Sequence, residues 1–161
     1  MNRHYHKLIS FLLIVGSISF SKNVPKRLTP GDTILFVAPS GSLDKTRMAL
    51  VKQRLEERGY ITIQAEDIFR EHGYLGGADA RRVEELMAAW TNPQVKAIFP
   101  GTGGYGTTRI LDLLDYEMIK ENPKILVGFS DITGLHLAIM LFGIARTILA
   151  RVLPAGHISA K

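Results

Sequence analysis

A serine between a strand pattern and a helix pattern is the residue in this sequence best placed for nucleophilic chemistry. Ser130 lies in Gly128-Phe129-Ser130-Asp131, after an apolar β-branched run and before an apolar helical pattern. In a nucleophile elbow such a turn lifts the hydroxyl above the sheet, and the next backbone N–H helps to form an oxyanion hole. Ile132 stands where the G-x-S-x-G pattern has its second glycine. Because serine before an apolar helix is also a common N-cap, the spacing leaves both interpretations open.

The glycine loop, residues 101–106, is the second candidate for chemistry. Its sequence, Gly101-Thr-Gly-Gly-Tyr-Gly106, matches G-x-G-x-x-G, and Asp131 lies twenty-five residues beyond Gly106. A dinucleotide site needs such a loop between a strand and a helix, with an acidic residue about 20 positions further on. Alternatively, four glycines expose backbone N–H groups that can bind an anion or a developing oxyanion. A tight turn without a ligand is the third interpretation.

The first loop, Ala38-Pro-Ser-Gly41, turns between the first predicted strand and the first predicted helix. Gly41 lets the backbone approach a ligand closely, whereas an ordinary turn capped by Ser40 or Ser42 explains the same residues.

A serine nucleophile needs a base, and the histidines offer no convincing one. His136 is about 600° around a helix from Ser130, so we expect a packed or capping residue. His72 lies in a long glycine-containing stretch, His157 lies in the C-terminal tail, and His4 and His6 lie near the N-terminus. The chain has no cysteine, which excludes a disulfide scaffold, a thiolate metal site and a cysteine nucleophile.

Strand and helix patterns alternate along the chain and position these loops. The apolar runs predict strands over 33–38, 60–64, 95–99 and 124–128. Helical spacing predicts helices over 44–58, around 83–90, over 107–114 and over 131–142. This alternation predicts an α/β fold, a parallel sheet with flanking helices. Ligands of such sheets lie outside the carboxyl ends of the strands, where all three loops fall.

Charge is distributed unevenly over the 161 residues, which have a net charge of +5. Five of the twenty basic residues precede the first acidic residue, Asp32, and residues 28–143 carry a net charge of −3. A nucleic-acid surface is therefore not expected. The overall composition, 46% hydrophobic and 22% charged, is typical of a globular protein.

The N-terminus has the layout of a secretory signal peptide over residues 1–21. Arg3 and Lys7 precede an apolar run from Leu8 to Phe20, and Ser19-Phe20-Ser21 provides small residues for cleavage. The run is shorter than the ~20 residues of a spanning helix, so no membrane span is expected after cleavage. An uncleaved anchor or a buried helix is the alternative.

Four separated motifs resemble the N-terminal half of the LD-carboxypeptidases, the family of muramoyl-tetrapeptide carboxypeptidases and microcin-immunity peptidases. The motifs are Leu28-Thr-Pro-Gly-Asp-Thr-Ile34, Val37-Ala-Pro-Ser-Gly41, Gly103-Gly-Tyr-Gly106 with Arg109-Ile-Leu111, and Pro123-Lys-Ile-Leu-Val-Gly-Phe-Ser-Asp-Ile-Thr133 with Leu135-His136. The resemblance covers residues 28–143 and implies a flavodoxin-like N-terminal domain of a two-domain family. It also implies a serine peptidase, without metal or other cofactor, that releases the terminal D-alanine of a murein tetrapeptide.

Specific roles follow from the resemblance. It implies Ser130 as the nucleophile and the backbone N–H groups near Gly104 and of Asp131 as oxyanion donors. From the same loops we expect Ser40, Gly103 and Tyr105 to contact the murein peptide. Thr102 stands where the family usually has arginine, which removes one expected contact to an anionic substrate.

The resemblance ends near Gly143, and residues 144–161 form a divergent tail without the family's continuation. The family takes its catalytic glutamate and histidine from a C-terminal domain that we expect to be missing here, so we expect an incomplete chain that does not turn over unless another chain supplies the base. The sequence leaves open whether the protein forms a homodimer. Export by the signal peptide predicts a periplasmic or secreted protein, and the cytoplasm is the family alternative.

Overall fold

A computed structural model describes residues 25–141 of the protein and the backbone of residues 148 and 149. The predicted signal peptide, His4, His6, His157 and all of the tail except residues 148 and 149 lie outside the described residues. No helix among the described residues is both long and apolar enough to cross a lipid bilayer.

The fold is a parallel sheet with helices on both faces. The strands are β1 (Thr33–Val37), β2 (Ile61–Gln64), β3 (Val95–Pro100), β4 (Ile125–Gly128) and β5 (Ile148–Leu149). The helices are α1 (Lys45–Glu56), α2 (Asp79–Thr91), α3 (Tyr116–Glu121) and α4 (Thr133–Leu141). All strand pairs are parallel, in the order β2-β1-β3-β4-β5. This is the flavodoxin-like order, so the α/β prediction is confirmed.

Alternating side chains of β1 join the two halves of the core. Phe36 packs with Met48 of α1 on one face, and Val37 packs with Leu86 and Trp90 of α2 on the other. The second cluster also includes residues of α3 and α4. Both faces of the strand are therefore covered, which explains its continuous apolar sequence.

Two helical predictions need correction. Residues 107–114 form two short 3₁₀ segments, Thr107–Arg109 and Leu111–Leu113, in place of one helix. The α-helix follows as α3, which the sequence analysis did not predict, and its N-cap Asp115 accepts a hydrogen bond from the Met118 N–H. At α1 the cap is Asp44, so neither Ser40 nor Ser42 performs that role.

The carboxyl ends of β1, β3 and β4 bring the three loops together. The strand order reverses direction between β1 and β3, which makes this position a topological switch point. At the end of the two strands, the Gly101 N–H donates a hydrogen bond to the Val37 carbonyl at 2.9 Å. Such a switch point is where open α/β sheets bind their ligands.

Candidate functional site

The turn after β4, called the serine loop (residues 128–131), exposes Ser130 in an unusual backbone conformation. Ser130 has a φ of 60° and is the only described residue other than glycine with a positive φ. Left-handed conformation costs an L-residue roughly 1–2 kcal/mol. Its side chain is exposed and makes no hydrogen bond among the described residues, so it is not an N-cap. A strained serine with a free hydroxyl is the geometry of a nucleophile elbow.

The glycine loop lies directly against this serine. A Cβ added to Gly103 would come within 3.0 Å of the Ser130 Cβ and 3.3 Å of its Oγ. Gly104 has a φ of +110°, and its N–H donates to no acceptor in the described part of the chain. The Asp131 N–H is likewise without an acceptor there. The turn therefore presents unoccupied donors close to an accessible hydroxyl, as stabilisation of an oxyanion requires.

Asp131 joins the three loops through its side chain. The Asp131 Oδ2 atom accepts hydrogen bonds from the Ser40 hydroxyl at 2.7 Å and from the Thr107 N–H at 2.9 Å. The Thr107 hydroxyl donates to the Asp131 carbonyl at 2.7 Å. Because Ser40 and Thr107 are both fully buried, these bonds satisfy groups that water does not reach.

Ser40 therefore does not present its side chain to a ligand. We expected a contact with the peptide, but its hydroxyl is buried and donated to Asp131. The neighbouring Gly41 N–H donates to the Gly103 carbonyl at 3.2 Å, which attaches the first loop to the glycine loop. The first loop thus supports the site from one side.

Two tyrosines are exposed at the rim of the glycine loop. The rings of Tyr105 and Tyr74 lie 5.9 Å apart between centroids, tilted by 56°. The Tyr74 carbonyl accepts a hydrogen bond from the Ser42 N–H, which attaches this tyrosine to the chain just after the first loop. The exposed position of Tyr105 is compatible with the expected substrate contact.

Charged residues of α2 support the loops from the protein interior, and the sequence analysis did not identify them. Arg82 is fully buried and donates through Nη1 to the carbonyls of Pro39 and Gly106. Glu85, one turn further on, accepts a hydrogen bond from the Ala38 N–H at 2.8 Å and pairs with Arg70. Both charged side chains lie on the buried face of the helix with Leu86 and Ala89. A charged residue at an apolar position of the helical pattern is the sequence signal that could have identified them.

The pKa of the Asp79 carboxyl is lowered to about 2, chiefly by hydrogen bonds from Arg109 and then from Arg82. Asp79 therefore stays ionised at neutral pH as the counterion of the buried Arg82 guanidinium, at 2.6 Å.

His136 is buried, as expected, and its Nε2 lies 3.3 Å from the Gly128 carbonyl. Burial lowers its pKa. His72 is exposed, and neither histidine is hydrogen-bonded to Ser130. No metal-binding group of His, Asp and Glu side chains occurs among the described residues.

Two structural observations argue against the dinucleotide interpretation. The glycine loop opens into the 3₁₀ segment Thr107–Arg109, whereas a pyrophosphate site uses the N-terminus of an α-helix. The Asp131 carboxylate, needed for a ribose, is already bonded to Ser40 and Thr107.

Comparison with known proteins identifies relatives. The protein-family model for the LD-carboxypeptidase N-terminal domain matches residues 34–149 of the chain. A putative carboxypeptidase of Streptomyces coelicolor is 42% identical over 118 residues, covering 71% of this chain and 38% of that protein. A probable murein peptide carboxypeptidase of Bacillus subtilis is 39% identical over 121 residues, covering 74% of this chain and 38% of that protein. The chain thus spans well under half the length of these relatives.

Solved structures show the same fold. An MccF-like protein from Bacillus anthracis superposes with a TM-score of 0.71 at 34% identity, covering 74% of this chain and 37% of that one. A muramoyltetrapeptide carboxypeptidase from Oxalobacter formigenes superposes with a TM-score of 0.64 at 32% identity, covering 69% of this chain and 37% of that one.

Proposed function

Since the chain belongs to the LD-carboxypeptidase family, we propose that it carries the nucleophile and the oxyanion hole of a serine carboxypeptidase that acts on murein tetrapeptides. The observation that carries the proposal is the exposed Ser130 at a φ of 60°, in contact with a glycine loop whose Gly104 N–H has no acceptor among the described residues. Relatives named as murein peptide and murein tetrapeptide carboxypeptidases support the substrate class.

In the proposed reaction the Ser130 Oγ attacks the carbonyl carbon of the bond before the terminal D-alanine. The carbonyl oxygen becomes an oxyanion, which the N–H groups of Gly104 and Asp131 stabilise. The hydroxyl proton passes through a base to the leaving amine, D-alanine departs, and water then hydrolyses the acyl ester.

The base is the part of the site that the described residues do not supply. Because Ser130 has no hydrogen-bonded base among them, we propose that it comes from other residues or from a partner chain. We therefore expect the described residues to bind the peptide and to allow slow modification of the serine, whereas release of D-alanine needs that base as well.

We also propose that residues 1–21 direct export, which would place the protein where intact wall peptides are available. Fusing these residues to a reporter that is active only outside the cytoplasm tests that proposal; an inactive fusion favours the cytoplasm.

Fluorophosphonate labelling tests the proposed function. The probe is attacked at phosphorus by a serine oxygen and loses fluoride, so it reports a reactive hydroxyl beside oxyanion donors. We expect labelling of the peptide that contains Ser130, located by mass spectrometry, and slowing of that labelling by a murein tetrapeptide. Ser130→Ala should abolish it, whereas Ser42→Ala, which removes a serine hydroxyl that makes no hydrogen bond among the residues described, should retain it. Labelling that survives Ser130→Ala, or that the tetrapeptide does not slow, contradicts the proposal.

A further inference from the structure

The buried Arg82 guanidinium contacts both loops that border the oxyanion site. Its Nη1 donates to the Pro39 carbonyl of the first loop and to the Gly106 carbonyl of the glycine loop, the latter at 2.9 Å. Its Nη2 pairs with Asp79 at 2.6 Å. Burying a charge is costly unless it is paired and hydrogen-bonded, and Arg82 is both paired with Asp79 and hydrogen-bonded to the two loops.

Arg82 and Asp131 hold the same two chain segments from different sides. The peptide group between Gly106 and Thr107 has its carbonyl bonded to Arg82 and its N–H bonded to Asp131. In the first loop, Arg82 donates a hydrogen bond to the Pro39 carbonyl, and Asp131 accepts one from the Ser40 hydroxyl. Each segment is thereby fixed by one cation and one anion.

Space around the arginine is closely filled. A Cβ added to Gly106, which has a φ of +135°, would lie 3.0 Å from the Arg82 Nη1 and 2.6 Å from a methyl carbon of Leu75. The glycine at this position lets the backbone approach the guanidinium. The hydrogen bond from Arg82 to the Gly106 carbonyl therefore depends on the absence of a side chain at Gly106 as well as on the arginine of α2.

The segment between these anchors contains the proposed oxyanion donor. At one end the Gly103 carbonyl is held by the Gly41 N–H, and at the other end the Gly106 carbonyl is held by Arg82. The Gly104 N–H belongs to the same planar peptide group as the Gly103 carbonyl, so it points away from Gly41, and it has no acceptor among the described residues. Fixing the loop at both ends keeps that N–H in place without a ligand, and preorganised donors stabilise a developing charge best.

We infer that Arg82 is a positioning residue, which sets the direction of the Gly104 N–H by holding the first loop and the glycine loop together. The inference rests on the proposed function. Arg82 itself touches no substrate, because it is fully buried.

Three variants test the inference through the rate of fluorophosphonate labelling at Ser130. Arg82→Lys keeps the charge but cannot reach two carbonyls and Asp79 in one plane, and we expect labelling to fall about tenfold. Arg82→Met removes the donors, and we expect a larger fall. The control is Arg81→Met on the same helix as Arg82, which breaks the ion pair of Arg81 with Asp67 in the loop after β2 and should label at the wild-type rate.

A second measurement separates positioning from general stability. For Arg82→Lys we expect the tetrapeptide concentration that half-protects Ser130 to stay within about twofold of wild type, since the exposed contact surface is unchanged. A purely structural role would weaken protection and labelling together. Arg82→Lys that labels at the wild-type rate overturns the inference, and so does one that loses protection in parallel with labelling.

Amide resonances keep the inference testable if Arg82→Met does not fold or if the wild-type protein does not label. The ¹H and ¹⁵N resonances of Gly104 and Thr107 should shift in Arg82→Lys and stay in place in Arg81→Met. If the wild-type protein does not label but these resonances do shift in Arg82→Lys, the proposed function is wrong and the positioning role of Arg82 is supported. Unshifted Gly104 and Thr107 resonances in Arg82→Lys defeat the positioning role itself.

Discussion

The first loop and the serine loop both follow a parallel strand at the same edge of the sheet, and each contains a serine, yet the two serines differ in every physical respect. Ser40 is fully buried and donates its hydroxyl to Asp131, whereas Ser130 is exposed, has no hydrogen-bond partner in the described ranges and is held at a φ of 60°. The comparison shows that residue type does not identify the reactive group. The two serines are distinguished by their hydrogen bonds, because the hydroxyl of Ser40 has a partner inside the protein and that of Ser130 faces solvent.

Asp131 connects the two loops, and its removal should have the largest effect. Asp131→Ala leaves the buried Ser40 hydroxyl and the Thr107 N–H without their acceptor. At roughly 1–3 kcal/mol for each unsatisfied buried group, we expect the free energy of unfolding to fall by about 3 kcal/mol. Urea titration measures it.

Glu66→Ala is the matched control, because Glu66 is an exposed carboxylate that makes no hydrogen bond within the described part of the chain. It should leave the urea midpoint almost unchanged. Equal midpoints for Asp131→Ala and Glu66→Ala would mean that Asp131 does not join the loops.

The same substitution at the two serines should have opposite effects. Ser40→Gly removes a buried hydrogen bond and adds backbone freedom, so we expect a loss of roughly 2 kcal/mol. Ser130→Gly removes no hydrogen bond and relieves the left-handed strain, so we expect a gain of about 1 kcal/mol. Thermal and urea unfolding both report these signs. A Ser130→Gly protein less stable than wild type would argue against strain at the nucleophile.

Access to Ser130 should depend on the missing side chain at Gly103. In Gly103→Ala the new methyl lies 3.0 Å from the Ser130 Cβ, so the serine must move by a few tenths of an ångström. Displacement of reacting groups by about 1 Å can cost roughly 100-fold in rate, and we expect fluorophosphonate labelling to fall about tenfold with little change in stability.

Gly73→Ala provides the reciprocal control, since Gly73 has a φ of +62° and open space around it. It should cost about 1 kcal/mol of stability through backbone strain and leave labelling unchanged. If both variants label alike, close packing of the glycine loop on Ser130 is not what limits access.

The sequence predicts β1 to β4 because each of them is a short apolar run, but it does not predict β5, which lies in the expected tail and pairs with β4. It also predicts which loops meet, since the carboxyl ends of parallel strands share one edge. The sequence does not predict that Ser40 bonds to Asp131, ninety-one positions away, because a hydrogen bond between distant loops leaves no local pattern. Arg82 and Glu85 were missed for a different reason: charged residues on a helix are read as solvent-facing, and only their place among buried neighbours reveals otherwise.

The loops also differ in how they are held from inside, and this difference predicts a pH effect. The first loop is held by ionised groups, Arg82 and Glu85, whereas the serine loop is held by the neutral His136. With Nε2 donating to the Gly128 carbonyl, the buried Nδ1 has no partner among the described residues, so a proton added there would meet no acceptor. Burial accordingly lowers the pKa of His136 below its ordinary value of 6.5.

A pKa that is lower in the folded state fixes the sign of the effect. Well above pH 6.5 neither state is protonated and His136 contributes no pH dependence, whereas below about 6.5 the unfolded chain takes up a proton that the folded protein resists. The free energy of unfolding should therefore decrease as the pH falls from 7 to 5. His136→Gln, whose side-chain amide can still donate to the Gly128 carbonyl but does not titrate, should flatten that decrease, while His72→Gln at the exposed histidine should not. Equal slopes in the His136→Gln and wild-type proteins would show that protonation of His136 does not affect the stability of the serine loop.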